Sequence, residues 1–288
     1  MTIEDVAHNV KMNWNTIKNI EKHYLEKHYS KPFLDGVTRI AIDEFAVLKG
    51  HTYMTVVLDL DSGRVLFVGK DRSKESLDVF WRRVKRSGVQ IKAVAMDMWP
   101  AYIGSVIENC PDADIVFDHF HIIKILNMKL DEIRRDLFRD ETQYNKRSLI
   151  QGTRWLLLKN QDNLSEKASD RLKEALAVNQ PLAAAYYLKE ELKLLWMQDD
   201  MDKAWNFLAS WVKRAYETGL VKLREFTKTL MSHYTGILNW YKHRISTGKL
   251  EGFNNKIKVL KRKAYGYRDF DFFILKIQAL HVSRYELL

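Results

Sequence analysis

Three carboxylates, Asp43, Asp97 and Glu251, stand in surroundings that suit chemistry on a phosphodiester. The two aspartates close apolar runs that read as strands, whereas Glu251 opens a basic, amphipathic helix. Oxygen ligands from separate elements are what a pair of divalent cations needs to promote in-line displacement at phosphorus. A lone Asp at a strand end is more often a turn or cap residue. The reading therefore rests on all three carboxylates together with the basic stripe beside the third.

Strand alternation sets Arg39, Ala41 and Asp43 on one face, and Ala93, Ala95 and Asp97 on one face of another strand. The small alanines leave room beneath a metal site, and neighbouring strands would let both aspartates bridge the same cations. Glu44 points to the opposite face, while Asp59 and Asp61 flank a hairpin turn and read as structural. Glu251 follows Ser246-Thr247-Gly248, a capping segment. Taken alone, it reads first as a residue that stabilises its helix start. Leu250, Phe253, Ile257 and Leu260 form the apolar face of that helix. Asn254, Asn255, Lys258, Lys261 and Arg262 occupy its other faces and are expected to hold phosphates beside the metals. Mg2+ suits such hard oxygen ligands, with Mn2+ as the alternative.

The elements that must position these groups follow from periodicity. Residues 1–30 read as a helix-turn-helix, either for DNA binding, its second helix offering Trp14, Asn15, Lys18, Asn19 and Lys22 outward, or as an amphipathic hairpin used only for packing. Lys11 stands where a turn glycine is usual. Three β-rich runs follow (Thr38 to Phe45, Tyr53 to Leu60, Arg64 to Gly69), the last two joined by Asp61-Ser62-Gly63. Helix and strand then alternate: Lys74 to Ser87, Ile91 to Met96, Pro100 to Asn109, Asp114 to Phe117, and His119 to Phe138. This order predicts an α/β fold with an RNase H-like mixed-sheet core, its first part over 36–138. Residues 139–235 read as an all-helical insertion in which Trp155, Trp196, Trp205 and Trp211 pack between helices. Residues 236–288 return to the core as its C-terminal helices.

Composition narrows the partners. The net charge of +10 favours a polyanion. From Arg244 to Arg268 there are eight Lys or Arg residues against the single acid Glu251. Cys110 is the only cysteine, which excludes an intrachain disulfide and a cysteine-based zinc cluster. No apolar stretch approaches the ~20 residues of a membrane span. The N-terminus lacks a secretory pattern. A cytoplasmic, nucleoid-associated protein with no membrane partner is expected.

The chain resembles the ISL-three family of bacterial insertion-sequence transposases, of the Asp-Asp-Glu class. The resemblance is carried by Ile42-Asp43-Glu44-Phe45, by Ala95-Met96-Asp97-Met98-Trp99 with Tyr102, and by Asp118-His119-Phe120-His121 with Lys124. The run Glu251-Gly252-Phe253-Asn254-Asn255-Lys256-Ile257-Lys258, then Lys261-Arg262 and Ala264-Tyr265-Gly266-Tyr267, completes it. It implies metal-dependent cleavage at transposon ends and strand transfer into target DNA, by a homo-oligomer on DNA, with Asp43, Asp97 and Glu251 catalytic. Asp118, His121 and Lys124 are secondary: Asp118 could approach the metals and His121 a phosphate. The family's N-terminal zinc-binding module is missing ahead of Met1, so the chain reads as a shortened transposase. Two other functions compete: a structure-selective nuclease that cuts without joining, and a non-catalytic DNA-binding fragment that interferes with an intact enzyme.

Overall fold

The structure, a computed structural model, describes residues 2–48 and 52–280, leaving out the side chain of Leu48. Met1 and residues 281–288 of the expected C-terminal segment lie outside the described residues. Along the chain run α1 (Ile3–Asn9), α2 (Trp14–Tyr29), β1 (Arg39–Leu48), β2 (Thr52–Asp59), β3 (Val65–Lys70), α3 (Asp78–Ser87), β4 (Ala93–Met96), α4 (Pro100–Asn109) and β5 (Asp114–Phe117). Helices follow: α5 (His119–Asp140), α6 (Tyr144–Ile150), α7 (Arg154–Leu158), α8 (Glu166–Ala177), α9 (Gln180–Leu192), α10 (Met201–Glu217), α11 (Val221–Ser232), α12 (Tyr234–Leu238), α13 (Trp240–His243), α14 (Gly248–Lys263) and α15 (Phe270–Ala279). They form two compact units: residues 1–116 with 245–288, and residues 117–244.

The first unit is built on a five-stranded mixed sheet in the order β3-β2-β1-β4-β5. β1 pairs antiparallel with β2, β2 antiparallel with β3, and β1 parallel with β4. The β2–β3 hairpin closes as its turn residues predict. Gly63 takes φ 75°, a left-handed value that costs a side-chain-free residue little, and its N–H donates to the Asp59 carbonyl.

Register fixes the two faces of the sheet. Asp43 faces Val56 and Phe45 faces Met54 on one side, while Glu44 opposite Thr55 lies on the other. The Glu44 side is covered by α3 and α4: Phe80 packs near Phe67, Tyr102 bonds to Thr55, and the Trp81 indole donates to Ser105 across the two helices. The Asp43 side is covered by α14 and α15, where Phe273 meets Phe45 edge-on at 6.4 Å.

The N-terminal hairpin also packs in this unit. Leu25 of α2 joins Phe272, Leu275 and Ala279 of α15 in one apolar cluster. Lys11 turns the chain with φ 51°, doing with a side chain what a glycine usually does.

The second unit is helical. α5 packs on α7, α9 and α11 through a buried face that includes Leu126, Leu130 and Ile133, so it belongs here rather than with the sheet segment to which periodicity joined it. Lys189 is wholly buried in this unit. Its ammonium donates to the carbonyls of Leu157 (3.0 Å) and Lys159 (2.9 Å) and pairs with Glu190, while burial lowers its pKa. Of the four tryptophans expected in the core, Trp211 is fully buried and donates to the Leu188 carbonyl. Trp155, 65% exposed, and Trp205 lie on the surface, because α7 and α10 are amphipathic and these residues fall on their outer faces. Among the described residues, no helix is long and apolar enough to cross a membrane.

Candidate active site

The parallel register runs Arg39 with Ala93, Ile40 with Val94, and Ala41 with Ala95. Two residues further on, the same face of each strand presents Asp43 and Asp97. Asp97 leaves β4 directly into a turn, where one carboxylate oxygen accepts the Trp99 amide at 3.1 Å and Pro100 opens α4. Asp43 accepts the Glu44 amide at 2.8 Å on one oxygen and the Asn254 side-chain amide at 2.8 Å on the other. Burial raises the Asp43 pKa most, and the charges of Glu44 and Asp97 add to it. The two hydrogen bonds oppose this, and the net result is a group pushed up to about 7.

α14 is pinned along β1 by three side chains. Lys249 donates to the Leu60 carbonyl (2.5 Å), Asn254 to Asp43, and Lys261 to the Val47 carbonyl (2.5 Å). Because Leu60 pairs with Arg39, these anchors run in the same sense as β1. Glu251 is exposed and lies three residues before Asn254, on a neighbouring position of the helix surface. Among the described residues, no three His, Cys, Asp or Glu side chains are gathered closely enough to hold one metal ion together. What the fold assembles is a two-carboxylate half-site with an amide from the Glu251 helix inserted into it.

That half-site fits a hard cation on two counts. Bound positive charge would offset the burial and the like charges of Glu44 and Asp97 that raise Asp43, and the buried Asn254 side-chain oxygen has no hydrogen-bond partner. Beneath it, on the opposite face, Tyr102 is buried with its hydroxyl on Thr55 (2.8 Å), which also donates to the Asp71 carbonyl (2.7 Å). Burial raises the Tyr102 pKa, and Glu44, Asp43 and Asp97 push it the same way.

The remaining expected residues divide. Asn255, Lys258 and Arg262 are exposed on α14, with Lys258 reaching Asn255 at 3.3 Å. Asn254 and Lys261 instead grip β1. Lys18 and Lys22, expected to face outward, turn to Asp269 at 2.8 and 3.1 Å and tie α2 to the start of α15. Their pull, with the Phe272 amide, holds the Asp269 carboxyl well below the usual range.

In the helical unit, Asp118 is buried and caps α5 through the Phe120 amide at 2.7 Å. His121 is half-buried against Phe120, and Lys124 lines a cavity of about 420 Å³ with Asn127, Asp131 and Arg154. Sequence reasoning missed Thr55 and Arg72, since their partners come from strands and turns distant along the chain. The one available signal was Trp99, beside Asp97.

Comparison with known proteins assigns the chain to a family. Residues 40–277 match the family model of ISL3 transposases, described as a transposase. The chain is 39% identical over 283 residues to the transposase of insertion sequence element IS1001 from Bordetella parapertussis, covering 96% of this chain and 69% of that one. It is 28% identical over 256 residues to the transposase of IS1557 from Mycobacterium tuberculosis, covering 81% of this chain and 57% of the relative. Among solved structures, the Drosophila P element transposase strand transfer complex aligns with a TM-score of 0.46 and 10% identity, over 91% of this chain and 81% of that one. The chain belongs to the ISL3 family of transposases.

Proposed function

We propose that this chain performs DNA transposition by metal-dependent phosphodiester cleavage and strand transfer at insertion-sequence ends. In this reading the first unit is an RNase H-like core and Asp43, Asp97 and Glu251 are its catalytic carboxylates. The observation that carries it is the parallel pairing of Ala41 with Ala95, each two residues before Asp43 and Asp97, together with the bond from Asn254 of the Glu251 helix to Asp43.

Each residue then has a distinct task. Asp43 and Asp97 hold their oxygens on one face of adjacent strands, so neither needs a large rearrangement to share a ligand. Asn254 orients Asp43, and the Trp99 amide orients Asp97. Glu251 would close the site from the first turn of α14, where the helix dipole favours its anion. Asp43, Asp97 and Glu251 would hold two Mg2+ ions, which when bound would supply Lewis acidity toward the attacking and leaving oxygens. Asn255, Lys258 and Arg262 line the exposed side of the same helix for the phosphate backbone. Transposon ends and target DNA are the partners, with a homo-oligomer assembling on them.

The test is a cleavage and joining assay on the element's own ends, with Mg2+ or with EDTA. Asp97→Asn should leave DNA affinity nearly unchanged while cleavage falls by orders of magnitude. Near-normal Mg2+-dependent cleavage by the purified variant would reject the mechanism, and cutting without joining would favour a nuclease.

A further inference from the structure

Arg72 follows β3 at the sheet end where β4 delivers Asp97. Its guanidinium lies over the Tyr53 ring at 4.4 Å and over the Trp99 ring at 4.7 Å. The Trp99 indole also donates to the Arg72 carbonyl at 3.1 Å. The same Trp99 gives its backbone amide to Asp97, so one residue links the arginine to the carboxylate half-site.

The backbone that aims this arginine is strained. Asp71 takes φ 79°, a conformation that L residues rarely adopt. It is held there from several sides: its amide donates to the Tyr53 carbonyl, its carbonyl accepts from Thr55, and its carboxylate accepts the Arg72 amide at 2.6 Å. Strain maintained by that many contacts is characteristic of functional positions.

The arrangement leaves the edge of the guanidinium unused. Among the described residues, no carboxylate or carbonyl accepts a hydrogen bond from it. Most arginines near carboxylates pair with one, as Arg39 does with Asp61. The Tyr53 and Trp99 rings, 4.4 and 4.7 Å from the Arg72 guanidinium carbon, restrict its orientation through cation–π contact and leave its N–H donors free of a protein acceptor among the described residues. A planar, fixed fork of this kind matches the oxygens of a phosphate.

We propose that Arg72 is a positioning residue that grips a backbone phosphate of the DNA strand entering the Asp43–Asp97 site. Tyr53 and Trp99 pre-set its orientation, and Trp99 transmits the register of that grip to Asp97. The inference rests on the transposase reading for the strand's role, but the contact itself requires neither metal nor cleavage.

The test measures affinity for a fluorescent DNA duplex against salt, in EDTA, for wild type, Arg72→Gln, Arg72→Lys and the control Arg39→Gln. Arg39→Gln removes the same formal charge from a side chain already committed to Asp61. Arg72→Gln should lower the salt slope by about one unit and weaken binding by roughly tenfold, whereas Arg39→Gln should leave the slope as it is. Arg72→Lys should keep most of the slope but lose affinity and slow strand joining, because an ammonium lacks the planar fork. A folded Arg72→Gln protein with wild-type slope and affinity would overturn the proposal. If Arg72→Gln does not fold, wild-type affinity and joining by Arg72→Lys would overturn it instead. A chain that binds through Arg72 but never cuts would reject the strand-transfer reading and leave this contact standing. A chain that cuts and joins while indifferent to Arg72 would do the reverse.

Discussion

Asp43 carries a titration signature set by its surroundings. A carboxyl pushed up to about 7 by burial and by Glu44 and Asp97 binds a proton that the unfolded chain, with an ordinary aspartate, releases near pH 4. Between those values the folded state holds more protons than the unfolded one, so stability falls as pH rises from about 4 to about 7. Metal-free protein should therefore melt at a lower temperature at pH 8 than at pH 5, so far as this group is concerned. Asp43→Asn should flatten that dependence and raise stability at pH 8 by on the order of 2 kcal/mol. Mg2+ should restore wild-type stability at pH 8 and do little for the variant. Calorimetry in EDTA and in Mg2+ at both pH values measures this, and a pH-independent difference between the two proteins would contradict it.

At the scale of elements, α14 carries two kinds of cation that composition alone could not separate. Lys261 is spent inside the fold on the Val47 carbonyl, whereas Lys258 and Arg262 remain exposed. Lys258→Ala with Arg262→Ala should reduce the salt slope of DNA binding by up to ~2 units while leaving the melting temperature nearly unchanged. Lys261→Ala should instead cost about 1 kcal/mol of stability and change the slope little. Equal slopes for the double variant and wild type would show that the stripe is only a solvated helix face.

The strands around Asp43 and Asp97 were legible because alternation and turn chemistry are local. So was Glu44 facing away, since period two determines it. Lys18 and Lys22 were not legible, because Asp269 lies about 250 residues along the chain and its ion pairs leave no mark on the periodicity of α2. Asn254 looked like a phosphate ligand for the same reason: its partner Asp43 is 211 residues away.

At the scale of the whole molecule, the two units differ in how the chain builds them. The helical unit is one continuous segment, 117–244, with its own buried core around Leu126, Leu208 and Trp211. The sheet unit is discontinuous, and α14 and α15, from its second segment, cover one face of its sheet. Residues 117–244 expressed alone should be helical and unfold cooperatively, whereas residues 1–116 alone should expose Phe45 and the Asp43 face and fail to melt as a unit. Circular dichroism and thermal unfolding of the two fragments test this. A cooperatively folded 1–116 fragment would show that α14 and α15 are dispensable to the sheet.

That discontinuity has a consequence for synthesis on the ribosome. Asp43 and Asp97 emerge early, but the helix bearing Glu251 and Asn254 is translated only after the entire helical unit. A nascent or prematurely terminated polypeptide thus contains two of the three acids and cannot assemble the third. On the proposed assignment of Asp43, Asp97 and Glu251, the site cannot be completed until nearly all of this segment has been made, so the order of the gene itself would act as a check that the enzyme is finished before it can cut.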